Sequence, residues 1–159
     1  MMFRELTRKN KQLSQSECVE ILTAQPRGVL SVLGDDDFPY GMPMNHYYNA
    51  EDGAIYFHCG RSGHRLDALM RHDKVSFCVC DEGIRHGGDW ALTIKSVIIF
   101  GHITVIDDLP TVRRISAALS RKFTQDEQYI EQEISRFASG TLLLKLTPAH
   151  ICGKTVREA

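Results

Sequence analysis

The sequence predicts a mainly β fold of the α+β type: a mostly antiparallel barrel with helices at its periphery. Three observations lead there. About six runs alternate apolar and polar residues with the period of a strand, several of them joined by hairpin-sized turns. Three or four helical stripes gather at the start, middle and late part of the chain, without the regular βαβ alternation of a parallel sheet. The 159 residues, 43% of them hydrophobic, fit a single domain over 1–159 with a sizeable core.

The first helix is expected over about 14–25. Ser14 and Glu17 have capping-box spacing, Cys18, Val19, Ile21 and Leu22 form the apolar stripe, and Pro26 stops it. A strand over 28–33 follows, closed by Gly34 and three consecutive aspartates. A second extended stretch over 39–48 carries Tyr40, Met42, Met44, Tyr47 and Tyr48. Pro39 and Pro43 cannot donate ladder hydrogen bonds, so this strand should be interrupted by an edge, a bulge or a ligand-facing stretch. After the Asp52-Gly53 turn, a strand over 54–59 points Ile55, Phe57 and Cys59 one way and Tyr56 and His58 the other.

A polar break at 60–63 leads into a short helix over about 63–72, with Leu66, Leu69 and Met70 on its buried face. The strand over 74–81 sets Val75, Phe77 and Val79 against Ser76, Cys78 and Cys80. A Gly-rich loop spans 82–89, and a long strand over 90–106 should bend near Gly101. Asp107 and Asp108, either a candidate cap, with Pro110 in the first turn start a helix over about 110–123 with Val112, Ile115 and Leu119 on one face. Another over 126–138 carries Ile130, Ile134 and Phe137. A last strand spans 141–147 with Leu142, Leu144 and Leu146 on one side, and the barrel is expected to take in about 27–106 and 141–152.

Nineteen Lys and Arg balance twenty Asp and Glu, which argues against a protein that coats nucleic acid or a membrane surface. No apolar run approaches the roughly 20 residues that cross a bilayer, and no apolar stretch follows the charged start as in a secretory signal. Five cysteines, an odd number without CxxC spacing, read as reduced thiols. The expected setting is the cytoplasm.

The segment most suggestive of chemistry is 57–65, in which a strand runs into a Gly-containing turn and a helix start bearing Arg61, Ser62, His64 and Arg65. Free amides at a helix start beside guanidinium groups suit an anion, although a solvated basic loop explains the same residues and no phosphate fingerprint is present. No metal site is expected, because the spacings of His58, Cys59, His64 and His72 match no common ligand set. A Cys59–His58 nucleophile pair is disfavoured because neighbouring strand residues diverge. Lys95 and Ser96 stand out only as polar residues entering an apolar strand.

Taken in order, the segments 27–32, 39–45, 55–59, 63–67, 74–77 and 96–101 resemble the pyridoxamine-phosphate-oxidase-like flavin-binding split-barrel proteins, in particular the branch of 5-nitroimidazole resistance proteins. The resemblance implies a six-stranded antiparallel split barrel and a homodimer holding FMN in two clefts between subunits. It places Met42, Pro43, Met44 and Asn45 along the flavin ring and ribityl chain, with Phe57, His58 and Cys59 lining the same cleft. His64 and Arg65, with Arg61 and Ser62 nearby, would meet the phosphate, and Lys95, Ser96 and Val97 would present donors to the flavin. Residues 153–159 do not match the C-terminal segment that clasps substrate in the vitamin-synthesising oxidases, which turns the reading from vitamin oxidation toward reduction of small nitroaromatics. His46, Tyr47 and His58 are the candidate proton donors. Two rivals remain: a non-catalytic flavin or haem binder, with His58, His64 or His102 as axial ligand, and an interaction protein with a purely structural barrel.

Overall fold

A computed structural model describes residues 2–158. The first helix, α1 (Gln15–Ala24), begins with a reciprocal cap: the Glu17 amide donates to Ser14 Oγ at 3.2 Å, and the Ser14 amide donates to the Glu17 carboxylate at 2.9 Å. It buries Cys18, Ile21 and Leu22. The chain then forms β1 (Arg27–Leu33), β2 (Pro39–Asn45), β3 (Tyr47–Asn49), β4 (Ala54–Gly60), α2 (His64–Arg71), β5 (Lys74–Cys80), β6 (Ile84–Arg85) and β7 (Leu92–Ile106). α3 (Leu109–Ser120), α4 (Glu127–Phe137) and β8 (Thr141–Arg157) complete it.

One antiparallel sheet runs β2-β1-β5-β7-β8-β4-β3, with β6 added to β7. The count exceeds the expected six for two local reasons. The stretch over 39–48 breaks at His46 into β2 and β3, and a two-residue strand sits in the loop after β5. Strands β2 and β3 are the two ends of the sheet. Met42 and Met44 of β2 and Ile55 and Phe57 of β4 nevertheless share one core, so the sheet curls into a split barrel.

The core follows the strand period. Leu30, Phe57, Phe77, Val79, Val97, Ile99, Leu144 and Leu146 are fully buried inside the curl, with Phe57 and Phe77 edge to face at 4.9 Å. A Cβ on Gly28 would lie 2.6 Å from the Phe77 ring, so close packing demands glycine there. The bend expected near Gly101 is a bulge: Phe100 pairs with His150 and Gly101 with Pro148, leaving Ala149 unmatched. Pro148, which has no amide hydrogen to donate, is tolerated at that irregularity. Beyond it β8 continues to Arg157 alongside β7, past the expected barrel limit at 152.

Helices α3 and α4 cover the outer face of β4 and β8, where Val112 and Ile115 meet Ala54, Tyr56 and Leu143. Their starts are fixed by Asp108, which accepts from the Thr111 amide, and by Asp126, which accepts from the Tyr129 amide. Among the described residues no helix is long and apolar enough to cross a membrane.

Candidate active site

A cleft of about 700 Å³ opens where α3 and α4 face the barrel. Arg27 and the end of β2 (Pro43, Met44 and Asn45) form one wall, and the ends of the helix pair (Leu119, Ser120, Phe123, Thr124 and Tyr129) form the other. His58 and Arg65 complete it. The strand period explains the β2 wall: Met42 and Met44 turn into the core while Pro43 and Asn45 face outward. An edge strand is also where Pro43 is least costly.

The electrostatics are one-sided. Among the described residues neither Arg27 nor Arg65 has a carboxylate within salt-bridge distance, whereas Arg61, Arg71, Arg121 and Arg157 each have one. Arg27 Nε donates to Asn45 Oδ1 at 3.0 Å, and Arg65 Nε lies 3.0 Å from Met42 Sδ. Both guanidinium groups are thus oriented by neutral partners and keep their charge for something else. His58 Nε2 shares a 2.9 Å hydrogen bond with Ser116 Oγ, and burial pulls its pKa below the ordinary histidine value, which favours neutral imidazole at pH 7. Burial raises the Cys59 thiol pKa, with the Arg65 guanidinium acting in the opposite sense. The far wall is fastened by Lys122, whose Nζ donates to the carbonyls of Gln25 and His46, both at 2.8 Å.

Of the residues singled out from sequence, Pro43, Met44, Asn45, His58 and Arg65 meet at this cleft, with Met42 directly behind Arg65. The others lie elsewhere. Phe57 and Val97 are fully buried in the barrel core, and Cys59 nearly so. Arg61 turns away to Asp107 (3.0 Å) and the Ser139 carbonyl (3.1 Å), and Ser62 sits exposed on the same turn. His64 stacks on Tyr40 at 4.4 Å, with its Nε2 3.5 Å from the Asp35 carboxylate. Lys95 pairs with Glu17 at 3.2 Å, and Ser96 stands on the outer sheet face between Cys80 and Lys154.

The proton-donor candidates separate in the same way. His46 is fully buried, with Nε2 bonded to the Leu22 carbonyl at 2.8 Å; burial, assisted by the Lys122 charge, lowers its pKa to about 4. Tyr47 packs against the α3 side of the sheet. Only His58 of the three reaches the cleft. His102 is engaged with Asp73 at 2.9 Å. Among the described residues no three of His, Cys, Asp and Glu converge as metal ligands would.

A sequence profile of the pyridoxamine 5'-phosphate oxidase family matches residues 14–155. The chain belongs to that family. No curated protein matches it. Among solved structures, the conserved hypothetical protein Rv2991 of Mycobacterium tuberculosis superposes with a TM-score of 0.80 at 15% identity, over 94% of this chain and 90% of that one. A protein described as a candidate 5-nitroimidazole antibiotic resistance protein of Bacteroides thetaiotaomicron gives 0.74 at 17% identity, over 91% and 86%. A FAD-binding protein of Mesorhizobium loti gives 0.64 at 20% identity, over 92% and 97%. Identities this low establish a shared fold.

As a member of the pyridoxamine 5'-phosphate oxidase family, the chain can be tested for fit to a flavin mononucleotide. A volume of about 700 Å³ is ample for one, since sites for ligands of that size run to about 300–1,000 Å³. Among the described residues, two guanidinium groups without carboxylate partners suit a phosphate, and the apolar lining by Pro43, Phe123 and Tyr129 suits a planar ring. The residues present fit the group. Sequence reasoning missed the contributions of Leu119, Ser120, Phe123, Thr124 and Tyr129. The available signal was two large aromatics flanking a polar turn, Phe123 and Tyr129, which are 48% and 53% exposed.

Proposed function

We propose that this protein binds FMN in the cleft between β2 and the α3–α4 pair and acts as an oxidoreductase on small nitroaromatic substrates. The observation that carries this reading is the pair of uncompensated cations, Arg27 and Arg65, in a cleft whose remaining walls are largely apolar. Arg65 and Arg27 would hold the phosphate, and the Pro43–Asn45 wall would support the ring. Bound FMN supplies electron transfer from a reduced donor to the substrate. The protein's own share is orientation, exclusion of water by Leu119 and Phe123, and a hydrogen bond from the neutral His58 imidazole. The nitroaromatic assignment is supported by the fold shared with the Bacteroides protein and by the sequence resemblance.

The working unit in this reading is a homodimer in the cytoplasm. Pro43, Val29, Cys78, Ile98 and Cys152 stand in one row across β2, β1, β5, β7 and β8 on the outer sheet face. Val29 is 43% exposed, and Phe3 stacks on His150 and Phe100 nearby. This apolar band adjoins the cleft through Pro43, so a second copy seated on it would close the cleft and bring its own residues to the ring. The test is the visible spectrum of protein purified without added cofactor, followed by turnover with a nicotinamide donor and a 5-nitroimidazole. A flavin double band with turnover supports the reading. A flavin band without turnover supports a binding protein, and a Soret band or no absorbance overturns flavin binding.

A further inference from the structure

A second cavity of about 260 Å³ opens beside the cleft and shares His58, Ser120 and Tyr129 with it. Its floor is the hydrogen bond between His58 and Ser116, the latter buried at the α3–β4 contact. Ile130 and Ile134 of α4 form an apolar wall, and the Phe137 ring, 51% exposed, stands over it. Glu133 is the one carboxylate in the lining, and among the described residues it forms no ion pair. The space lies below the range of about 300–1,000 Å³ usual for larger organic ligands, so it admits a single ring and not a tricycle.

We propose that this alcove receives the reducible substrate and selects single-ring aromatics that are neutral or cationic, with Glu133 as the residue that rejects anions. The proposal rests on the flavin reading of the adjoining cleft, because that adjacency is what would bring the two reactants side by side. A ring lying against Ile134 and Phe137 buries its faces, and the His58–Ser116 pair offers a hydrogen bond to one polar substituent. A carboxylate on the ring would face the uncompensated Glu133 charge at the edge of an apolar space, where repulsion is poorly screened. Ser116, whose hydroxyl fixes the His58 ring, is a positioning residue in this account.

The experiment is calorimetric titration of nitrobenzene and para-nitrobenzoate into the FMN-saturated protein and into the protein without flavin, with FMN affinity measured separately. Nitrobenzene is expected to bind at least tenfold more tightly than para-nitrobenzoate. Glu133→Gln should shrink that ratio at least threefold, and Ile134→Phe should weaken nitrobenzene at least tenfold, with FMN affinity unchanged in both. An unaltered ratio in Glu133→Gln, or unaltered nitrobenzene binding in Ile134→Phe, overturns the alcove. Failure of FMN to bind overturns the flavin reading instead, and the flavin-free titrations still decide whether the alcove discriminates by charge.

Discussion

His46 makes the stability of this protein sensitive to mild acid. Its imidazole is fully buried, its Nδ1 has no partner among the described residues, and its pKa falls from 6.5 to about 4. Above pH 6.5 the ring is neutral in both folded and unfolded chains and contributes no pH dependence. As pH falls through 6.5 the unfolded chain takes up a proton that the folded chain refuses, so folding loses free energy until about pH 4. At about 1.36 kcal/mol per pH unit the whole gap is worth about 3 kcal/mol, of which about 2 kcal/mol is lost between pH 7 and pH 5. Urea unfolding across that interval measures it in wild type and in His46→Leu. His58, whose pKa is also lowered by burial, acts in the same window and is present in both proteins, so the difference in slope isolates His46. The variant should lose about 2 kcal/mol less than wild type over that interval, whatever its starting stability. Parallel pH curves, or a His46 imidazole that titrates near 6.5 by NMR in the folded protein, would refute the reasoning.

Gly101→Ala should cost about 1–3 kcal/mol in denaturant unfolding, because a Cβ there would collide with the Thr147 carbonyl at the bulge. Asp108→Ala removes the cap on α3 and should cost about 1 kcal/mol by thermal unfolding; no loss would show that the Thr111 contact contributes nothing. Val29→Glu places a charge in the apolar band and should convert a dimer to a monomer in sedimentation. An unchanged mass would move the interface elsewhere.

The parts of the fold that were legible in sequence are those with a clean period or a local cap. Helix α1 starts at the Ser14 cap and α3 directly after the Asp107-Asp108 pair, since a cap acts within three residues. Strands β1 and β5 kept their alternation, whereas β4 is buried on both faces from Ala54 to Phe57 because α3 covers its outer side. β3 and β6 span three and two residues, too few to show any period. The far half of β8 was hidden because Pro148 reads as a stop and the unmatched Ala149 shifts the in-out phase. Of the cleft lining, the β2 residues and Arg65 stand in short contiguous patterns of the sequence. The partners that draw Arg61, His64 and Lys95 elsewhere do not: Asp107, Asp35 and Glu17 lie far along the chain and become neighbours only by packing. The helical wall was invisible for the same reason, since Phe123 and Tyr129 reach the cleft through the docking of α3 and α4 on β4 and β8.

Whether the Arg27–Arg65 cleft grips a flavin phosphate is measured directly by the FMN dissociation constant of wild type against Arg65→Glu. A charge-assisted hydrogen bond worth about 1.5–3 kcal/mol predicts a loss of roughly tenfold to a hundredfold. Arg113→Glu, on the exposed side of α3, should leave the constant unchanged. Equal affinity in wild type and Arg65→Glu, or an equal loss in both variants, would contradict the assignment.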